Sequence, residues 1–198
     1  MKSQVMESLD LKITGHLNLF KLTYENKNGD IKPWLLASRK SVPKVMSRDF
    51  SPDAVVIMAM VKETLEYVIL REYRPSVDGV MIEFPAGKID PGESIEDAVR
   101  RELKEETGFD LVGITHQSPP LYSSSGMTDE SIVFVKCMCE GELSIDGLEE
   151  SEEIQPFTCS PLYLQELLHE ENVFYDVRLW MALNTIDIPR NITGVRNR

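Results

Sequence analysis

The stretch from Ala86 to Phe109, AGKIDPGESIEDAVRRELKEETGF, constrains this chain more than any other. Ser94 followed by Asp97 is a capping-box-like start, and neither Gly nor Pro interrupts the chain again until Gly108. The residues between are strong helix formers, so the pattern predicts one helix of about four turns over Ser94–Thr107. At roughly 100° per residue, Glu102 and Glu106 lie about 40° apart, and Glu105 flanks them about 60° to the other side. Three carboxylates on one helix edge repel one another and raise one another's pKa values unless cations offset them. Oxygen-only ligands suit hard divalent cations, Mg2+ or Mn2+. The preceding loop, KIDPGE, supplies a tight turn, and Gly87 and Gly92 permit close backbone approach to a charged ligand.

The spacing Gly87-x5-Glu93-x7-Arg101-Glu102-Leu103-x-Glu105-Glu106-x-Gly108-Phe109 is the complete Nudix box, and on it the chain is identified as a member of the Nudix hydrolases. The resemblance spans about residues 53–186. It implies an α/β fold, a Nudix-type α/β/α sandwich with a mixed sheet, and hydrolysis of a nucleoside diphosphate linked to another group. REYRPSVDGVMIEFPAGKIDPGE further resembles the approach to the box in the ADP-ribose and ADP-sugar pyrophosphatases. The strands carrying Trp34 and Arg39 are similar to that branch's small dimer-forming domain.

Carried over residue by residue, the resemblance makes the Ala86 carbonyl and the carboxylates of Glu102 and Glu106 the metal ligands. Glu105 is a weaker ligand or a relay. Glu93 and Arg101 form an ion pair that orients the carboxylates. A general base comes from a loop after the box. Glu153 fits best and is also a candidate metal ligand; Glu152 is second, Glu150 lies in the same acidic stretch, and Glu130 in SSSGMTDES is a further candidate. For the substrate, Trp34 offers a flat face for a base, although a Trp on a short strand also serves as packing. Arg39 and Arg74 are suited to bidentate contact with phosphate or a base edge. Lys88 lies in the box loop, and Gly126 in a serine-rich loop that either touches the terminal sugar or is a plain turn.

The function implied is Mg2+-dependent cleavage of ADP-ribose, or a related ADP-sugar, to AMP and a sugar phosphate. A proline at 119 or 120 lies near the place where ADP-ribose-cleaving relatives carry one. The alternatives are GDP-mannose, another nucleotide sugar or a dinucleoside polyphosphate as substrate, or a nucleotide sensor without catalysis. A sensor of that kind usually lacks box carboxylates, and here all are present.

The remaining chain bounds these readings. A length of 198 residues accommodates one ordinary domain with a small appendage. The domain expectation is a β segment over residues 1–52, for dimerisation and base recognition, and the hydrolase domain over 53–198. HLNLFKLTYE alternates apolar and polar residues, NKNGD is a turn, and IKPWLLASRKSV resumes the strand pattern, which predicts a hairpin within Ile13–Met46. A free hairpin is marginal in water, so it packs on its own domain or on a second subunit in a homodimer. RDFSPD is a polar link. AVVIMAMV, YVILREYR, VMIEFPAG and SIVFVKCMC follow as strands. Helical text runs from Pro161 to Ile186 with a break near Asn172, and PRNITGVRNR has no periodicity.

A formal charge of −12 argues against nucleic acid as a partner. No apolar run has the length of a membrane span, and MKSQVMESLDLK lacks a signal-peptide core. Three cysteines without a C-x-x-C pair point to thiols in a reducing compartment, so the expected location is cytoplasmic.

Overall fold

The structure is a computed structural model of the chain, describing the backbone of residues 4–12 and residues 17–148 and 153–185. Two compact units are present, Met1–Val55 with Ser118–Phe134, and Val56–Gln117 with Val135–Arg198.

In the first unit, β1 (Gln4–Lys12), β2 (Asn18–Glu25) and β3 (Ile31–Ser38) form an antiparallel sheet in that order. The expected hairpin is β2–β3, with Phe20 opposite Leu36 and Leu22 opposite Trp34; β1 precedes the predicted start and adds a third strand. The turn falls on Asn26–Asp30, where the Asn26 side-chain oxygen accepts from the N–H groups of Asn28 and Asp30. The period-2 alternation in β2 buries Phe20 and Leu22 on one face, with Leu36 and Val45 against them. Leu19, Ile31 and Leu35 remain exposed.

A single helical turn, α1 (Lys44–Ser47), follows. The polar stretch after it ends in a buried Asp53. Ser118–Phe134 belongs to the same unit: β9 (Leu121–Tyr122) pairs with Ser131 and Ile132, and the Ala37 N–H donates to the Met127 carbonyl at 2.8 Å.

The second unit holds most of a mixed sheet. Its members are β4 (Ala54–Val61), β5 (Tyr67–Arg74), β6 (Gly79–Glu83), β7 (Ala86–Lys88), β8 (Asp110–Gln117), β10 (Ser131–Glu140), β11 (Ile154–Cys159) and β12 (Phe174–Tyr175). The main path runs β12-β6-β5-β4-β10-β8, with β11 on β5 and β7 on β4. Only apolar side chains fill β4 at Val55–Ala59, as its uninterrupted apolar text requires. β12 pairs with β6 in parallel, whereas β5, β8 and β11 pair antiparallel with their neighbours.

The predicted box helix is α2 (Ile95–Thr107). Ser94 caps it by accepting the Asp97 N–H at 3.1 Å. Val99 and Leu103 are fully buried, each contributing about 1.5–3 kcal/mol. Gly108 ends the helix in the left-handed region at φ 80°, and a Cβ there would meet the Ser144 nitrogen at 2.5 Å, so glycine is required twice over. Two more helices, α3 (Pro161–Leu167) and α4 (Val177–Thr185), flank the predicted break, where Asn172 has φ 63°. The expected helix end at Ile186 and the tail lie outside the described residues. None of the described helices is long and apolar enough to cross a membrane.

Candidate active site

In the second unit, two helix carboxylates converge on two residues of backbone. The Ala86 N–H donates to Glu106 Oε2 at 3.0 Å. Glu102 lies so close to Gly87 that a Cβ there would fall 1.8 Å from its carboxylate carbon. The glycine at the head of the box is therefore the seat of a helix carboxylate. Both acids are withdrawn from water, Glu106 being 5% exposed.

Arg101 holds this arrangement from outside. Its Nε and Nη2 each donate to a Glu93 oxygen at 2.9 Å, Nη2 also reaches the Lys88 carbonyl at 2.9 Å, and Nη1 donates to Glu102 at 2.7 Å and Glu105 at 3.2 Å. The hydrogen bond from Arg101 holds the Glu93 carboxyl below its ordinary value, and the same bond, with Glu102 beside it, raises the guanidinium. Loop and helix are thus locked by one bidentate pair, as the family resemblance implies for Glu93 and Arg101. Glu105 is the most exposed of the three helix carboxylates.

Arg74 stands between two more buried acids. Its Nε donates to Glu83 and its Nη1 pairs with Glu72, both at 2.8 Å. Burial would lower this guanidinium, but the Glu83 bond and the charges of Glu83, Glu72 and Glu106 outweigh it and raise its pKa. Glu72 and Glu83 did not emerge from the sequence; the signal available was a charged residue at a core-facing position in each of two apolar strands.

Glu153 is exposed just before β11, where its carbonyl accepts the Tyr73 N–H at 3.1 Å. Bonding to Asp78 raises the Tyr73 phenol, and the Glu153 charge adds to that. Glu150 and Glu152 lie outside the described residues. Lys88 is exposed, and its carbonyl serves Arg101.

In the first unit, Trp34 lines a cavity of about 480 Å3 together with Leu22, Tyr24, Leu36, Phe50 and Tyr122. Tyr24 meets Trp34 edge-on, with ring centres 6.4 Å apart, and Trp34 keeps 42% of its surface open. Arg39 pairs with Glu130 at 2.6 Å. Gly126 is exposed, with nothing near enough to exclude a side chain.

The donor chemistry around Gly87 fits a hard cation. Among the described residues no three His, Cys, Asp or Glu side chains group closely enough to hold a metal by themselves. Glu102 and Glu106 are brought to the same backbone pair, whose Ala86 carbonyl is a further oxygen donor; the resulting set is all oxygen.

Comparison with known proteins places this chain among relatives. The NUDIX domain description matches residues 51–185. An ADP-ribose pyrophosphatase of Saccharomyces cerevisiae is 32% identical over 163 residues, spanning 78% of this chain and 67% of that protein. An uncharacterized Nudix hydrolase of Schizosaccharomyces pombe is 31% identical over 185 residues, spanning 88% and 85%. The crystal structure of an ADP compounds hydrolase shares the fold, with a TM-score of 0.71 at 20% identity over 98% of this chain and 97% of that one.

Proposed function

The chain belongs to the Nudix hydrolase family, and from that premise we propose that it cleaves the pyrophosphate bond of ADP-ribose, or a related ADP-sugar, with Mg2+ or Mn2+ as cofactor. The observation that carries the chemistry is the convergence of Glu102 and Glu106 on Ala86–Gly87. Glu102, Glu106 and the Ala86 carbonyl hold the cation, and Glu153 is a further ligand candidate. When bound, a cation of this type neutralises the diphosphate and lowers the pKa of water.

The protein groups supply position and proton transfer. Arg101, anchored on Glu93, keeps Glu102 and Glu105 on the box side of the helix. Glu153 takes the proton of the attacking water; Glu105 and Glu152 are the other carboxylates able to relay it. Water adds across the P–O–P bond, giving AMP and ribose 5-phosphate. Lys88 offers an exposed ammonium to the diphosphate. Arg74 reaches a phosphate only by sharing a guanidinium that already serves Glu72 and Glu83.

The base goes to the Trp34 cavity, which is mostly apolar and aromatic, as a planar ring requires. Arg39 and the loop of Gly126 serve the substrate from outside that cavity, which neither residue lines. The reading extends to a homodimer through the N-terminal sheet, supported by the exposed Leu19, Ile31 and Leu35. It also extends to a reducing cytoplasmic compartment, supported by three free, buried cysteines whose thiols burial pushes up to about 12. Turnover of ADP-ribose against GDP-mannose with Mg2+ tests the substrate. A preference for GDP-mannose would overturn it.

A further inference from the structure

We propose that Asp129 is the specificity-determining residue of the Trp34 cavity, selecting a heteroaromatic ring that carries an amino group. This deepens, and rests on, the assignment of that cavity to the base. The cavity walls are largely apolar, so its few polar groups decide which ring edge fits. They are Ser125, Thr128, Asp129 and Lys44, apart from the phenols.

Lys44 is not available to an anion. It is 1% exposed, and its three N–H donors meet three acceptors: Asp53 Oδ2 at 2.5 Å, the Ser51 carbonyl at 2.6 Å and Ser131 Oγ at 2.8 Å. The ammonium is consumed in the wall, which leaves the cavity without a cation for phosphate. A neutral ring suits it better than the diphosphate does.

Ser125 and Thr128 can each donate or accept, so they impose little selection. An ionised Asp129 only accepts. Its Oδ2 takes the Lys44 backbone N–H at 2.9 Å, and among the described residues Oδ1 has no partner. Asp129 lines the cavity, so this oxygen offers a bound ring an acceptor that a donor on the ring edge, such as an amino N–H, satisfies and a ring without a donor leaves unpaired. Its position is set from behind, because Asp53 accepts the Ser131 N–H at 2.9 Å and donates its own N–H to the Ser131 carbonyl at 2.8 Å, two residues beyond Asp129. The buried Lys44–Asp53 pair thus fixes both ends of the Lys44–Asp129 bond.

The test is calorimetric titration of the full chain with AMP and with purine riboside 5′-monophosphate, which differ only in the amino group. The unaltered protein is expected to bind AMP roughly tenfold more tightly, the scale of one hydrogen bond to a charged acceptor. Asp129→Asn keeps an oxygen for the Lys44 N–H and turns an N–H2 toward the ring, so the preference is expected to vanish or invert. Asp129→Ala is expected to bring the two affinities within about twofold. Trp34→Ala is expected to weaken both nucleotides by a similar factor, with the ratio kept. An unaltered protein that binds the two nucleotides equally, or a folded Asp129→Asn protein that retains the tenfold ratio, overturns the role of Asp129. If Trp34→Ala changes neither affinity, the base assignment itself falls, and this inference with it.

Discussion

Replacing Gly87 with alanine should separate catalysis from folding. A Cβ on residue 87 would sit 1.8 Å from the Glu102 carboxylate carbon, against an ordinary contact of 3.4 Å or more, so the carboxylate must retreat by about 1.6 Å. The backbone at this residue is not left-handed, and the colliding group is the end of a flexible side chain. The cost to folding is therefore small, within about 1 kcal/mol. The cost to function is not, because a displacement of about 1 Å in a catalytic group removes roughly a hundredfold in rate. That corresponds to about 2.7 kcal/mol in the barrier. Retreat also breaks the 2.7 Å bond from Arg101 to Glu102. The assay is release of phosphate from ADP-ribose products by an added phosphatase, beside a Mn2+ titration and a thermal melt. The expected outcome is a loss of about two decades in kcat/KM, weaker metal binding and a melting point within a few degrees of the parent. Parental turnover and metal affinity in a folded Gly87→Ala protein would refute the placement of Glu102 at the reaction.

Glu106→Gln keeps the shape and the acceptor for the Ala86 N–H but removes a charge, so hydrolysis should fall by orders of magnitude at saturating metal while the melting point holds; near-parental turnover would remove Glu106 from the ligands. Burial would raise the Asp176 carboxyl, but bonds from Arg178 and from the N–H groups of Arg178 and Leu179 hold it below its ordinary value of 3.8. Its contribution to stability is thus full above that value and lost as pH falls through the depressed one; Asp176→Asn should lower the melting point at pH 7 by a few degrees and flatten the acid limb, and identical acid profiles would exclude the role. Leu35→Asp places a charge on the exposed face of the N-terminal sheet, so light scattering should show the dimer giving way to monomer, whereas a parent that is monomeric at micromolar concentration would exclude that interface.

How much of this protein could be read from its text follows the range of the interactions. The helix Ile95–Thr107, its Ser94 cap, its Gly108 stop and the Glu93–Arg101 pair are short-range matters, settled within one turn or one loop, and all were legible. So was the turn around Asn26–Asp30, where an Asn side chain bonds its own neighbours. The strand β8 escaped because its mostly exposed residues carry little alternation, and β12 because two residues have no period at all. What only the tertiary structure decided involves partners far apart in the chain. Asp53 meets Ser131 across 78 positions and Lys44 meets Asp129 across 85, so neither the gathering of Ser118–Phe134 with the N-terminal sheet nor the wall of the Trp34 cavity has a local signature. The Arg74–Glu72–Glu83 cluster needs strand pairing to set Arg74 opposite Gly79 and Leu70 opposite Glu83. Local spacing can announce a set of carboxylates, but a buried charge finds its partner only when the sheet has formed, because strand pairing both removes the charge from water and brings the opposite charge that offsets that loss.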